Sequence, residues 1–302
     1  MESIKNFREL TDHLAVAGVR KRAAVVCGTD RSTQEAVLRG LREGFLDVIF
    51  VGGCGDIREA GALVPYARRV TYVEAATPDE AARAAVAIVR EGGADILMKG
   101  LVGTDVLLRA VLDKETGILP PGRVLTHIAA TELPAYPKLL FFTDPAVIPY
   151  PTQEQRMAQV GYAARLCRNF GIACPRISLV HCSEKVNARH FPHTEGYVDI
   201  IARAEAGGFG ACIVDGPLDV KTSCCAESLQ TKGIASSLGG EADVLVFPDI
   251  EAANVFYKTV TLFCGAETAC ALQGPLVPVV LPSRADTAAS KFYSLALACL
   301  AG

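Results

Sequence analysis

Ser283 and Arg284 stand where an apolar run over residues 277–281 stops, and a small-residue helical pattern then carries on to Leu300. The pattern predicts a buried strand that delivers a hydroxyl and a guanidinium to the loop before a helix. In open α/β sheets, ligands bind beyond the carboxyl ends of the strands. An arginine beside a helix N-terminus suits an anion there, which points toward phosphate chemistry.

Other strand ends carry comparable groups. Lys99 closes the run ILMK, and Gly100, Gly103, Thr104 and Asp105 follow before a helical pattern. A lysine and backbone N–H groups in a glycine-bearing turn suit a phosphate. An ordinary βα turn capped by Thr104 or Asp105 fits equally well. Asp144 follows FFT, and Asp249, Glu251 and Asn254 follow VLVF. Each has a plain reading too: Asp144 caps a turn, and Glu251, Asn254 and Lys258 form a solvated helix face. Asp215 lies at the end of a further apolar run. No one segment decides the matter; together they argue for a cleft.

The elements that position these groups are legible as an alternation. Strand patterns fall at 23–27, 48–52, 70–74, 96–100, 138–144, 176–181, 211–216, 244–250 and 277–282, with amphipathic stretches between many of them. Continuous apolar strands separated by helices predict parallel pairing with both faces covered, an α/β fold. Thr152 with Gln155 matches a capping box at the head of a helix. The proline-rich passage 118–151 has no sustained helical period and reads as a hinge or cleft-lining connection. The predicted layout is a first domain of residues 1–140 plus 276–302 and a second of 141–275.

Composition excludes several classes. Half of the residues are hydrophobic, 21% are charged and the net charge is −3, so neither nucleic acid nor an anionic membrane is an expected partner. The polar start MESIKNFREL is no signal peptide, and no run approaches a membrane span, so a cytoplasmic location is expected. Eleven cysteines without a C-x-x-C pair read as free thiols packed as small hydrophobes, with Cys182 and the Cys224–Cys225 pair the candidates for reactivity. His190 and His193 form an H-x-x-H that Pro192 interrupts, so no metal site is expected. VGGCGD lacks the dinucleotide-binding spacing, and no G-x-S-x-G elbow occurs.

The ordered segments ADILMKGLVGTDVLLRAVLDKETGI, LTHIAATELPAYPKLLFFTDPAVIPYPTQEQ, DGPLDVKT, ADVLVFPDIEAANVFYKTVTLF and PVVLPSRADTAASK resemble the phosphate acetyl/butyryltransferase family, on its butyryl side. The likeness runs from about residue 25 to the C-terminus. It implies two α/β domains in an isocitrate/isopropylmalate dehydrogenase-like fold with an interdomain cleft, usually as a homodimer. It also implies transfer of a short acyl group between coenzyme A and orthophosphate, with acyl-CoA, phosphate and acyl phosphate as the ligands and no metal or other cofactor. The family's phosphate-binding pair falls on Ser283 and Arg284. The turn with Lys99, Gly100, Gly103 and Thr104, together with Thr126, Asp144, Asp249, Glu251 and Asn254, matches its cleft-lining segments.

The residue types suit that reaction. A guanidinium offers paired donors to a dianion. An ordinary thiol is only about 1–10% ionised near neutral pH, so a base helps CoA attack the acyl phosphate. The resulting oxyanion is within the repertoire of Ser283, Arg284 or a backbone N–H. In the acetyltransferase branch an aspartate six residues after the arginine is associated with thiol deprotonation, but Ser290 stands there in this chain. Asp286 is the nearest carboxylate in sequence and the expected base, while capping of the next helix is its alternative role. Direct attack in a ternary complex is expected rather than a covalent cysteine intermediate. The alternatives are an acetyl-specific transferase, a dehydrogenase on a related fold and an inactive acyl-CoA-binding regulatory module.

Overall fold

The computed structural model describes residues 2–59, 61–283 and 286–302. Arg284, expected to hold phosphate, lies outside the described residues.

In chain order the first stretch forms α1 (Phe7–Val16), β1 (Lys21–Val26), α2 (Arg31–Glu43), β2 (Leu46–Gly52), α3 (Gly55–Glu59), β3 (Val70–Glu74), α4 (Pro78–Arg90), β4 (Ile96–Lys99) and α5 (Thr104–Val111). There follow β5 (Thr126–Glu132), β6 (Leu140–Thr143), α6 (Gln153–Asn169), β7 (Arg176–Val180), α7 (His193–Glu205), β8 (Ile213–Leu218), α8 (Val220–Cys224), α9 (Ala226–Lys232), β9 (Val244–Val246) and α10 (Ile250–Phe263). The chain closes with β10 (Glu267–Gln273), β11 (Val279–Val280) and α11 (Ala288–Ala301).

These elements divide into two compact units: Phe7–Leu125 with Thr268–Gly302, and Thr126–Glu267 with the N-terminal residues up to Asn6. The boundaries expected near 140 and 275 differ from these. Residues 126–132 group with the second unit because β5 pairs antiparallel with β6. Residues 268–273 group with the first because β10 pairs antiparallel with β11. The passage 118–151, expected to be a hinge or cleft-lining connection, thus contains β5 as well as the expected β6.

In the first unit the strand order is β3-β2-β1-β4-β11-β10, with parallel pairing from β3 through β11. Ala23, Ala24, Val25 and Val26 of β1 are fully buried, as a parallel strand covered on both faces requires. α11 packs against α2 and α1, and α4 against α5. Each buried valine, leucine or phenylalanine contributes about 1.5–3 kcal/mol, so this layer fixes the strand ends rigidly.

The second unit has the order β5-β6-β9-β7-β8, with β6, β9, β7 and β8 parallel. The predicted capping box is present at the head of α6, where Thr152 accepts from the Gln155 amide and Gln155 returns the bond. Asp215 is a correction: β8 continues past it to Leu218, so it lies within the strand rather than at its end. Among the described residues no helix is long and apolar enough to cross a membrane.

Candidate functional site

In the first unit, β2 and β3 run outward on one side of β1 while β4 lies on the other. The winding direction reverses between β1 and β4, and in such sheets a crevice opens beyond the carboxyl ends at that point. Three loops meet at this edge: Cys27–Asp30 after β1, Lys99–Gly103 after β4, and the chain after β11 that contains Ser283.

Lys99 is buried, and its Nζ donates to the carbonyl oxygens of Gly100 (3.2 Å) and Pro282 (3.4 Å). The ammonium therefore ties the β4 turn to the residue preceding Ser283. Gly100 is required for a reason other than ligand access, because a Cβ there would lie 2.4 Å from the Cys27 carbonyl oxygen. The Gly100 and Leu101 amides donate to the Val26 and Cys27 carbonyls, so the start of this turn is committed to β1. The cap of α5 also differs from expectation. Gly103 occupies the N-cap without a side-chain bond, and Thr104 is the first helical residue. A glycine cap supplies no side-chain acceptor to the first-turn amides, and the nearest carboxylate is that of Asp105, whose Oδ1 would lie 2.7 Å from a Cβ on Gly103.

Ser283 is exposed, and two hydrogen bonds join it to Asp286. The Ser283 amide donates to Asp286 Oδ2 (2.8 Å), and the Asp286 amide donates to the Ser283 carbonyl (3.1 Å). Asp286 does not cap the following helix: Thr287 does, accepting from the Ser290 amide. Ser290 is buried and bonded to the Thr268 carbonyl (2.9 Å), so its hydroxyl is spent on packing α11 against β10.

Asp30 was not singled out from the sequence, yet it organises the third loop. It caps α2 through the Thr33 amide and receives a 2.8 Å bond from Lys291 Nζ. Burial opposes its ionisation, but the bonds from Lys291, Thr33 and Ser32 outweigh that and bring its carboxyl down to about 2. The only sequence signal was a capping pattern, Asp30 with Thr33, directly after a strand.

The second unit carries the remaining expected residues at the carboxyl ends of neighbouring β6 and β9. Asp144 is buried, and both carboxylate oxygens are occupied. Oδ2 accepts from Thr126 Oγ1 (2.8 Å) and the His127 and Ile148 amides, and Oδ1 from the Ala146 and Val147 amides. Asp249 caps α10 through the Ala252 amide (2.8 Å). Glu251 accepts from the Tyr150 hydroxyl (3.0 Å), and Asn254 donates to the Pro145 carbonyl (2.9 Å). Thr126, Asp144, Glu251 and Asn254 thus build one loop and latch it to α10. They shape a surface with defined backbone groups, while the Asp144 carboxylate itself has no capacity left for a ligand.

Elsewhere, His181 Nε2 lies 3.7 Å from Cys182 Sγ, and His193 packs on His181 and Tyr197 rather than pairing with His190. Among the described residues no group of three or more His, Cys, Asp or Glu side chains could hold a metal ion.

Residues 66–299 match the family described as phosphate acetyl/butaryl transferase. A phosphate acetyltransferase of Thermotoga maritima is 35% identical over 94% of this chain and 96% of its own length. A phosphate butyryltransferase of Clostridium beijerinckii is 34% identical over 98% of this chain and 97% of its own. Among solved structures, a branched-chain phosphotransacylase from Enterococcus faecalis matches with a TM-score of 0.82 at 29% identity, covering 93% of this chain and 98% of that one.

Proposed function

The chain belongs to the phosphate acetyl/butyryltransferase family, and from that premise we propose that it moves a short acyl group, butyryl in preference to acetyl, between coenzyme A and orthophosphate. The observation that carries the reading is the 3.4 Å bond from Lys99 Nζ to the Pro282 carbonyl. It fixes a buried ammonium beside the Ser283 loop at the edge where an α/β sheet receives its ligand. The likeness to a solved branched-chain phosphotransacylase supports an acyl pocket wider than acetyl needs.

In this reading phosphate or acyl phosphate is held by Arg284 and Lys99, and the Ser283 hydroxyl donates to the oxyanion that forms as thiolate attacks the acyl carbonyl. Asp286 is the base that takes the thiol proton. Its Oδ2 accepts from the Ser283 amide, which holds the carboxylate beside the Ser283 loop. CoA attacks directly, the carbonyl–phosphate bond breaks, and phosphate leaves with its electron pair. An isocitrate/isopropylmalate dehydrogenase-like fold, a homodimer and a cytoplasmic location go with this assignment.

Phosphate-dependent release of CoA from acyl-CoAs of increasing chain length tests it. We expect turnover to peak at four carbons and Arg284→Ala to lower it by about 10²–10³-fold with the fold intact. Absence of phosphate-dependent CoA release with every acyl-CoA, together with tight CoA binding, would identify a regulatory module instead.

A further inference from the structure

A groove of about 600 Å³ runs along the outer side of α6 in the second unit, closed by α7 and the 208–210 loop. Its lining includes Arg165, Arg168 and Arg203 against one carboxylate, Glu154. This local excess of positive charge stands on a chain whose net charge is −3. Among the described residues no carboxylate lies within ion-pair distance of Arg168 or Arg203.

The guanidinium groups are seated by the fold. Arg203 lies over the Phe209 ring at 5.5 Å and Arg165 over the Tyr162 ring at 5.2 Å. Arg168 Nη1 donates to the Ala211 carbonyl (3.1 Å). A Cβ at Gly208 would come 2.6 Å from Arg203 Cγ, and one at Gly210, whose φ is +74°, 3.1 Å from Arg168 Nη2. Side chains at either glycine would displace an arginine, so loop and guanidinium groups are fitted to each other.

Position separates the arginine end of this groove from the substrate residues of the same unit, while Glu154 in the first turn of α6 marks its other end. The 208–210 loop precedes β8 and Arg168 ends α6 before β7, so both lie at the amino edge of the parallel strands. Asp144 and Asp249 follow β6 and β9 at the carboxyl edge.

We propose that the groove is an effector site for a nucleoside polyphosphate. The guanidinium groups of Arg168 and Arg203 supply donors for a phosphate chain, and Arg165 adds positive charge beside them. The stacked Arg203–Phe209 and Arg165–Tyr162 pairs supply flat faces for a base. The volume is far larger than one phosphate needs and falls in the range of about 300–1,000 Å³ usual for organic ligands. The site is separate from the acyl transfer proposed above and does not depend on it.

Isothermal titration of the full chain with ATP, inorganic tripolyphosphate and CoA tests the assignment. We expect ATP to saturate one site per chain and to bind more tightly than tripolyphosphate. Arg203→Ala and Arg168→Ala should each weaken ATP binding by about tenfold or more, while acyl transfer without nucleotide stays within about twofold. Arg203→Lys, which keeps the charge on an exposed position but loses the fork, should also weaken it, and circular dichroism checks that each variant is folded. No saturable heat at millimolar ATP overturns the proposal. So does equal affinity for tripolyphosphate, which leaves only a polyanion patch. Displacement of ATP by CoA, with a raised KM for acyl-CoA in Arg203→Ala, also overturns it by making the groove part of the substrate site.

Discussion

Lys291 Nζ donates 2.8 Å to Asp30 Oδ1 across 261 positions of sequence, joining the first turn of α11 to the N-cap of α2. Lys291 is almost fully buried, and its other bonds go to Ser32 Oγ (2.8 Å) and Thr33 Oγ1 (3.0 Å). The ammonium therefore closes the loop after β1 against the helix that begins just after Asp286. Two of the loops at the crevice edge are held in place by one ion.

Removing that ion leaves a partly buried carboxylate with only its capping bonds. Lys291→Met should lower stability by about 2–3 kcal/mol, less than a fully buried pair would, because Thr33 and Ser32 still solvate Asp30. Urea unfolding at neutral pH measures it, and a loss under 0.5 kcal/mol would show that the pair is energetically idle.

The same pair sets an acid limit. The folded-state carboxyl of Asp30 sits at about 2, below its ordinary value of 3.8. Its contribution is therefore full above about pH 4 and is lost as pH falls toward 2. Wild type should lose stability relative to Asp30→Asn as pH falls from about 4 to 2. Parallel stability curves for the two proteins across that window would contradict the assignment.

At the second edge the carboxylate acts as a loop organiser. Asp144→Asn puts an NH₂ group where one oxygen accepted hydroxyl and amide donors, so donors face donors. The expected cost is about 2–4 kcal/mol, with reduced activity that follows the fraction folded. Full stability combined with a collapse of kcat would instead make the carboxylate a direct ligand of the substrate.

Legibility in the sequence divided along physical lines. Strands with valine, isoleucine and leucine runs, such as β2, β3 and β4, announced themselves and carried Lys99 at a strand end. The unmarked strands were β5 (THIAATE) and β10 (ETACALQ), built mainly from alanine, threonine and other residues of weak strand signal. They are also the antiparallel partners of β6 and β11, and their omission misplaced the domain boundaries. Ser283 was legible because it ends an apolar run. The Lys291–Asp30 tie was not, since each residue alone reads as a helix-end charge and nothing local pairs them.

A covalent route would need an activated thiol, and the exposed Cys182 beside His181 is the arrangement nearest to one. Burial holds His181 below the usual imidazole value, so it is neutral near pH 7 and offers no positive charge to a thiolate. Cys224 is pushed up to about 11 by burial and is less reactive still. Cys182→Ala should keep acyl transfer within about twofold of wild type, and labelled CoA should not exchange into acyl-CoA when phosphate is absent. Exchange without phosphate that disappears in Cys182→Ala would establish an acyl-cysteine step.

Asp286 is assigned two tasks, and one substitution separates them. Asp286→Asn keeps an oxygen that can accept from the Ser283 amide, so the brace survives while the proton acceptor is lost. In the direction of CoA attack, kcat should fall by about 10²–10³-fold near pH 7 with little change in the KM for acyl phosphate. The deficit should shrink as pH approaches about 8.5, where the thiol of CoA ionises unaided. Wild type, which has its own base, should show a flatter profile over the same range. A deficit that stays constant with pH would reduce Asp286 to a brace, and near-normal turnover at pH 7 would remove it from the reaction altogether.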